Sequence, residues 1–286
     1  MTMVLKVIIS IVKTIIALAL TLVLLLGILG GGWGDKQQQP ENHPLYSGRL
    51  HLIAHRGVSD RAPENTPAAA SRALELGFET IEIDLKQSSD RKFYLFHDRE
   101  STRMLGVEIE LKQKTLSQLQ QYPLMHHGKT SGHHVPELEQ FLEQFSTVLT
   151  IYFDIKRHGN NHYRRLSRRI YDFLSVYELP GRALVGSDFL FTAYLEYKYP
   201  QLHTVFTGPG DWTIIFYQWI PRKFRPDFII SYANEVTDWH LNWLYKKHLI
   251  NRRMLYGVDK TNYHKVREWG IPYLVVEYDP VMDADL

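Results

Sequence analysis

Residues that can carry out acid–base and phosphate chemistry are concentrated between positions 55 and 97. They follow short apolar runs in the order His55, Arg56, Glu82, Asp84 and His97. Carboxylates bind hard cations, a cation and an arginine neutralise phosphate charge, and imidazoles transfer protons near neutral pH. This combination and order predict metal-assisted cleavage of a phosphodiester.

The spacing of these residues also indicates a hairpin. Residues 80–85 alternate in polarity, so Glu82 and Asp84 share one face of a predicted strand. A second strand is predicted at 93–98, and the residues between the two are too few for a helical crossover. If the turn is centred between positions 90 and 91, Asp84 lies opposite His97. The alternative is an edge strand with a solvated acidic face.

The same residues belong to a longer series of motifs. The series is His55-Arg56-Gly57, Pro63-Glu64-Asn65-Thr66, Glu82-x-Asp84, His97-Asp98 and Val135-Pro136-Glu137-Leu138. In order and spacing it resembles the glycerophosphodiester phosphodiesterase family, part of the phospholipase-C-like phosphodiesterases that fold as TIM barrels. The match is dense from residue 50 to about residue 156 and thinner beyond.

The resemblance implies a metal-dependent hydrolase that releases an alcohol and glycerol 3-phosphate. His55 and His97 are then the acid–base pair, in either order, and Arg56 binds the substrate phosphate. An acylated substrate would instead release a lysophosphatidic acid. Glu64 and Asn65 are expected to supply a further metal ligand or to support the ligands, although this segment also suits the start of a helix.

Residues 150–156 repeat the pattern of a strand with an acidic end. Asp154 is the predicted third metal ligand beside Glu82 and Asp84, and Lys156 is a second phosphate-binding cation. The family usually has Glu at this position, so Asp154 is a departure that shortens the side chain by one methylene. The alternative is an Asp that caps a loop. The expected cofactor is one divalent ion, Ca²⁺ or Mg²⁺.

Strand-like and helical stretches alternate along the chain after residue 50, which predicts a parallel sheet with crossover helices. Predicted strands are 51–56, 80–85, 93–98, 150–155, 183–187, 203–207, 228–232, 254–258 and 273–277. Predicted helices include 67–76, 137–145, 163–176 and 262–269. One strand exceeds the eight of a closed barrel, and the hairpin accounts for it. We therefore predict an α/β TIM (β/α)8 barrel with an extra hairpin strand; a doubly wound open sheet is the alternative.

The N-terminal segment has a different composition. Residues 14–33 carry no charge and are long enough to cross a bilayer, so 1–35 is predicted to be one transmembrane anchor. A cleaved signal peptide is the alternative, but no small-x-small site is evident. Lys6 and Lys13 favour a cytoplasmic N-terminus with the catalytic domain on the outer, periplasmic or extracellular face, and Trp33 suits the interface. Residues 36–48 are predicted as a linker and 49–286 as the barrel domain.

Composition narrows the classes of partner. The net charge is +2, from 33 basic and 31 acidic residues, which does not favour nucleic acid, and the absence of cysteine excludes disulfides and thiolate sites. Residues 211–220 are apolar and aromatic, either a helix packed on the barrel or a rim facing lipid. Three functions stay open: a hydrolase of soluble glycerophosphodiesters, a membrane-facing enzyme of lysophospholipase D or C type with a lysophospholipid substrate, and a catalytically silent membrane-tethered binding module.

Overall fold

A computed structural model of the chain describes residues 3–33, 45, 49–156, 162–208 and 213–277. Apart from Leu45, the predicted linker 36–48 lies outside the described residues. The described strands are β1 (His51–His55), β2 (Thr80–Gln87), β3 (Phe93–Leu95), β4 (Pro123–His126), β5 (Lys129–His134), β6 (Thr150–Ile155), β7 (Leu184–Ser187), β8 (His203–Thr207), β9 (Phe228–Tyr232), β10 (Arg253–Val258) and β11 (Tyr273–Val276).

Eight parallel strands close into a barrel. Their order is β1, β2, β6, β7, β8, β9, β10 and β11, and the last strand pairs with the first. The short β3 pairs antiparallel with residues 85–87 at the carboxyl end of β2. The predicted barrel with one extra hairpin strand is confirmed, and the open-sheet alternative is wrong.

Helices follow the barrel strands as the alternating pattern predicted, and α1 precedes them all. The described α-helices are α1 (Met3–Leu29), α2 (Pro67–Glu75), α3 (Thr102–Leu105), α4 (Leu116–Leu119), α5 (Leu138–Phe145), α6 (Tyr163–Val176), α7 (Phe189–Lys198), α8 (Thr213–Tyr217), α9 (Asp238–Lys246) and α10 (Tyr263–Glu268). The start of α2 has a clear local cause. Thr66 accepts a hydrogen bond from the Ala69 amide at 3.2 Å, and Pro67 occupies the first turn, where its missing N–H costs nothing.

The β2–β3 hairpin has a register one residue away from the predicted one. Leu85 pairs with Leu95, and the amide of Phe96, not of His97, donates to the Asp84 carbonyl at 3.0 Å. The turn is centred on Asp90 because Ser88 pairs with Lys92 and Arg91 takes a left-handed φ of 65°. His97 therefore leaves the ladder and turns toward the end of the barrel.

Two layers of buried side chains hold the barrel together. On β2, Ile81 and Ile83 pack against the helices, whereas Glu82 and Asp84 point inward. Leu45 lies with the apolar residues inside the barrel. The β4–β5 hairpin, which the sequence pattern did not indicate, forms a separate two-stranded sheet.

Candidate active site

The predicted site residues lie at the carboxyl ends of neighbouring barrel strands. His55 of β1 is in register with Glu82 of β2, and Asp84 of β2 is in register with Asp154 of β6. Because the strands are parallel, these ends form one mouth of the barrel. The cavity in this mouth is lined by His55, Arg56, His97, Asp154, Lys156, Thr207, Gly208, Ile230, Ser231, Tyr232, Tyr256, Gly257 and Glu277.

Three carboxylates form a candidate metal site within the mouth. One oxygen each of Glu82, Asp84 and Asp154 lies within 4.8 Å of the others, and all three side chains are buried. Glu82 Oε1 has no hydrogen-bond partner although it is fully buried. A buried oxygen without a donor is suited to a hard cation, so this set fits a divalent ion with oxygen ligands.

The three carboxyl groups differ in pKa. Burial, followed by repulsion from Asp84 and Asp154, raises the pKa of Glu82 well above its ordinary value. Burial also raises the pKa of Asp154, against the attraction of a neighbouring lysine. Burial alone would raise the pKa of Asp84, but Lys156 and Arg56 outweigh it and hold that pKa below its ordinary value. A metal ion would therefore displace protons from this cluster on binding.

Two cations contact the carboxylates from the mouth. Arg56 Nε lies 3.1 Å from Asp84 Oδ2, and its backbone amide donates to Glu82 Oε2 at 3.1 Å. The left-handed φ of 55° at Arg56 aims this amide into the site. Lys156 Nζ lies 2.5 Å from Asp154 Oδ2 and 3.1 Å from Asp84 Oδ1. Both side chains also line the cavity, where a phosphate would compete for them.

Asn65 and Glu64 have different surroundings. Asn65 is buried in a left-handed conformation, with φ of 58°, and brackets Asp84 from two sides. Its Nδ2 donates to Asp84 Oδ2 at 2.7 Å, and its Oδ1 accepts from the Asp84 amide at 2.9 Å. Glu64 instead binds the guanidinium groups of Arg56 and Arg103. Asn65 thus orients a carboxylate of the cluster, whereas Glu64 orients a cation.

Each histidine has a carboxylate on its Nδ1 atom. His55 Nδ1 is hydrogen-bonded to Glu277, and His97 Nδ1 lies 2.8 Å from Asp98 Oδ1. His55 Nε2 lies 3.8 Å from Glu82 Oε2, so this nitrogen faces the carboxylate cluster. A carboxylate on Nδ1 favours the tautomer with its proton there, which leaves Nε2 to accept a proton.

A chain of ion pairs connects the second histidine to the arginine of the mouth. Arg103 Nε lies 2.5 Å from Asp98 Oδ2, and its Nη1 lies 2.8 Å from Glu64 Oε2. Glu64 in turn contacts Arg56 Nη1 at 2.9 Å. The orientation of His97 is therefore linked through salt bridges to that of Arg56.

Three side chains in this region were not predicted as site residues. Glu277 follows β11, and its position at a strand end was an available signal. Lys86 continues the alternation of β2, donates to the Asp98 carbonyl and has its pKa lowered by burial to about 7. Arg103 lies on the short α3 outside the barrel strands, where the sequence pattern carried no comparable signal.

The chain is similar to known proteins in both sequence and structure. A family model described as Glycerophosphoryl diester phosphodiesterase family matches residues 55–182. A Bacillus subtilis (strain 168) protein, provisionally named glycerophosphodiester phosphodiesterase YhdW, is 31% identical over 254 residues, which cover 82% of this chain and 98% of that protein. Human glycerophosphodiester phosphodiesterase 1 is 32% identical over 134 residues, 45% of this chain and 40% of the human protein.

Solved structures show the same fold at low sequence identity. An Oleispira antarctica phosphodiesterase in complex with the product sn-glycerol-3-phosphate has a TM-score of 0.70 at 18% identity and covers 85% of this chain and 99% of that chain. A glycerophosphodiester phosphodiesterase from Agrobacterium tumefaciens str. C58 has a TM-score of 0.66 at 17% identity, with 82% and 99% covered. Given this fold and a sequence match over nearly the whole length of the bacterial relative, the chain belongs to the glycerophosphoryl diester phosphodiesterase family and is a phosphodiester hydrolase.

Proposed function

We propose that the enzyme hydrolyses glycerophosphodiesters to glycerol 3-phosphate and an alcohol by acid–base catalysis with His55 and His97. One observation carries the proposal: both histidines line the cavity together with Asp154, a member of the buried cluster of three carboxylates, and each has a further carboxylate on Nδ1. This complete arrangement argues against a silent binding module, which would have no need of it.

Glu82, Asp84 and Asp154 are the residues that would hold the divalent ion. A Ca²⁺ or Mg²⁺ ion supplies, when bound there, positive charge that polarises a phosphate oxygen. Arg56 and Lys156 contact these carboxylates and also line the cavity, so both would be available to a substrate phosphate if the ion supplied the neutralising charge. The two cations then bind the remaining phosphate oxygens, the arginine through its fork of N–H groups and the lysine as a point charge.

The two histidines divide the proton transfers. One accepts the proton of the attacking water or of a substrate hydroxyl at Nε2, and the other donates a proton to the leaving alkoxide. The carboxylates of Glu277 and Asp98 stabilise the imidazolium that each transfer requires. Both histidines have this support, so the arrangement leaves the order of acid and base open.

The substrate class is tested by product analysis on two substrates in parallel, glycerophosphocholine and lysophosphatidylcholine. We expect choline and glycerol 3-phosphate from the first, with turnover lost on chelation of divalent ions. No turnover of glycerophosphocholine with either metal would contradict the proposal. Release of choline and lysophosphatidic acid from the second substrate would support the lysophospholipase D alternative, and release of phosphocholine the C type.

The mouth favours a soluble substrate over a lipid. Among the described residues, the aromatic segment 213–220 contributes no side chain to the lining of the cavity, and Trp212 lies outside the described residues. Tyr256 lines the cavity instead, and its hydroxyl lies 3.5 Å from Asp154 Oδ2.

The Glu277→Gln variant is expected to lower kcat by less than the roughly 10²-fold cost of removing the imidazole itself. Glutamine keeps an acceptor near His55 Nδ1 but removes the negative charge that stabilises the imidazolium. The loss should therefore fall on kcat, with KM for glycerophosphocholine little changed. Steady-state kinetics measure this, with the exposed Glu143→Gln as the matched control. An unchanged kcat would show that Glu277 does not position the histidine.

We propose that α1 is retained as a single-pass anchor with the barrel on the outer face of the membrane. Residues Val7–Leu29 have a mean hydropathy of 2.7, and none of the most apolar window is buried. A signal sequence meets the same criteria of length and composition, so the mass of the mature chain is the direct test. Lys6 precedes this span and Lys13 lies in its N-terminal half, and both support the orientation.

A further inference from the structure

The end of the anchor helix is built onto one connection of the barrel. Residues 30–33 follow α1, and residues 213–225 form most of the connection between β8 and β9. Trp33 Nε1 donates to the Trp219 carbonyl at 2.9 Å, and the amides of Arg222 and Lys223 donate to Gly32 and Gly30 at 3.0 and 2.9 Å. We call these two segments together the collar.

The glycines after the helix are required by this contact. A Cβ atom on Gly30 would lie 2.3 Å from Pro221 Cβ and 3.0 Å from the Phe224 ring, so no other residue fits without displacing the connection. Gly31 and Gly32 have φ values of 77° and 84°, in the left-handed region that favours glycine. The run of three glycines therefore closes the helix onto the barrel.

A buried arginine joins the two segments of the collar. Arg225 is 4% exposed, and its guanidinium donates to the carbonyls of Gln218 and Ile220 and, at 3.3 Å, of Trp33. Beneath it, Tyr217 is buried and donates to the Pro226 carbonyl at 2.5 Å. The inner face of the connection is thus fastened to the barrel through polar and apolar contacts.

The outer face of the collar is aromatic and basic. Phe216 and Trp219 are 63% and 75% exposed, and Trp33 is 40% exposed. Lys223 is also exposed, and its methylenes lie beside Gly31. Tryptophan with adjacent lysine or arginine is the composition of the headgroup layer, where the rings partition and the cations meet phosphates.

The position of the anchor next to the collar indicates that the partner of the collar is a lipid bilayer. The candidate span ends at Leu29, and Trp33 lies only four residues beyond it, so the collar starts where the chain leaves the hydrocarbon. The aromatic face is continuous with a helix whose own residues are exposed along its length. A surface joined directly to a span meets the lipid headgroups before any protein in solution.

We propose that the collar lies in the headgroup layer of the leaflet from which α1 emerges and seats the barrel there by its flank. Phe216 and Trp219 insert at the interface, and Lys223 meets lipid phosphate. The connection returns from the mouth end of β8 to the start of β9 at Phe228, and the Phe224 ring packs 5.3 Å from Tyr197 near the end of α7. The membrane contact of the collar is therefore away from the mouth of the barrel, which stays open to water. The proposal rests on the retained anchor and not on the catalytic assignment.

The proposed contact of the collar with lipid is tested by fluorescence of the full chain in nanodiscs of phosphatidylcholine and phosphatidylglycerol, with one chain per disc. The sequence contains no cysteine, so a single Trp219→Cys substitution can be labelled with an environment-sensitive NBD group. Trp33 binds the backbone carbonyl of residue 219, so its hydrogen bond does not need the replaced side chain. We expect a blue shift of NBD emission and quenching by nitroxide-bearing lipids. The control Val176→Cys, 77% exposed at the end of α6, should show neither.

A second pair of variants distinguishes the lipid contact of the collar from membrane anchoring by α1. Gly30→Leu should push the connection away and reduce the quenching at position 219, while the chain stays in the disc. Gly132→Leu is the matched control, since a Cβ there meets nothing within 4 Å. Both variants should keep the turnover of a soluble glycerophosphodiester.

Three results would overturn the proposal. They are quenching at position 219 no stronger than at position 176, a blue shift without nitroxide quenching, and a mature chain that lacks residues 1–33. Absence of turnover in the wild type would count against the proposed function, and it would leave the lipid contact unaffected because fluorescence reports that contact separately.

Discussion

Glu82→Gln is expected to abolish turnover and, at the same time, to stabilise the metal-free protein at neutral pH. Glu82 is the most strongly perturbed of the three carboxyl groups because it is fully buried beside Asp84 and Asp154. Glutamine keeps the shape but cannot carry the charge that a cation requires. Exhaustive chelation of the wild type should have the same effect on turnover, and adding Ca²⁺ or Mg²⁺ should restore it in the wild type alone.

The raised pKa of Glu82 determines how the stability difference between the wild type and the variant changes with pH. The raised pKa means that folded Glu82 holds its proton above the ordinary value of 4.5, where the unfolded chain has released it. The wild type in EDTA therefore loses stability relative to the variant as the pH rises above that value, and the two should converge below it. Added metal should raise the Tm of the wild type most at high pH, because the ion replaces the protons.

Thermal unfolding in EDTA and in excess metal, across pH, measures both effects. Glu110→Gln is the matched control, since Glu110 is exposed and lies outside the mouth. Full turnover after chelation, or an active Glu82→Gln variant, would remove the metal site from the mechanism. A variant less stable than the wild type at neutral pH in EDTA would show that Glu82 is not held protonated.

His55→Ala and His97→Ala are each expected to lower kcat by roughly 10² or more, as for removal of a general acid or base. Their Nδ1 partners hold the rings toward the cavity, so each alanine removes one proton transfer and leaves the carboxylate cluster in place. Steady-state kinetics on glycerophosphocholine at saturating metal measure the loss, and unfolding curves confirm that the fold persists.

The matched control for these variants is His134→Ala, an exposed histidine of the β4–β5 hairpin. It should leave kcat unchanged. Near wild-type turnover in either His55→Ala or His97→Ala would show that the histidine concerned carries no proton in the reaction. The double variant should lose little beyond the worse single variant, since the two act in one reaction.

The carboxylate cluster and the barrel could be predicted from local sequence. Alternation along residues 80–85 places Glu82 and Asp84 on one face regardless of the rest of the fold, because successive strand side chains point to opposite sides. The alternating strands and helices predicted the barrel, because a parallel strand pair requires a crossover between its members. The strand-end pattern predicted Asp154 as a third carboxylate, and the pairing of β6 with β2 places it in register with Asp84.

The contacts that support the two histidines of the mouth were decided by the tertiary structure alone. Glu277 and His55 are far apart in sequence and meet only because β11 closes the barrel against β1. Arg103 reaches Asp98 and Glu64 from a helix outside the strands, and no periodicity specifies such a contact. The hairpin register also depended on Ser88. Its hydroxyl binds both the amide and the carbonyl of Lys92, and this contact shifts the strand pairing by one residue.

The N-terminal segment likewise has one feature that the sequence predicts and one that only the tertiary structure decides. Apolar composition alone indicates a helix long enough to span a bilayer, because hydrocarbon thickness sets a length that can be counted along the chain. The contact of Gly30 with Pro221 joins positions that are remote in sequence, and it depends on how the β8–β9 connection folds over the barrel. Local patterns determine which faces are buried, whereas long-range packing determines which buried or exposed groups meet.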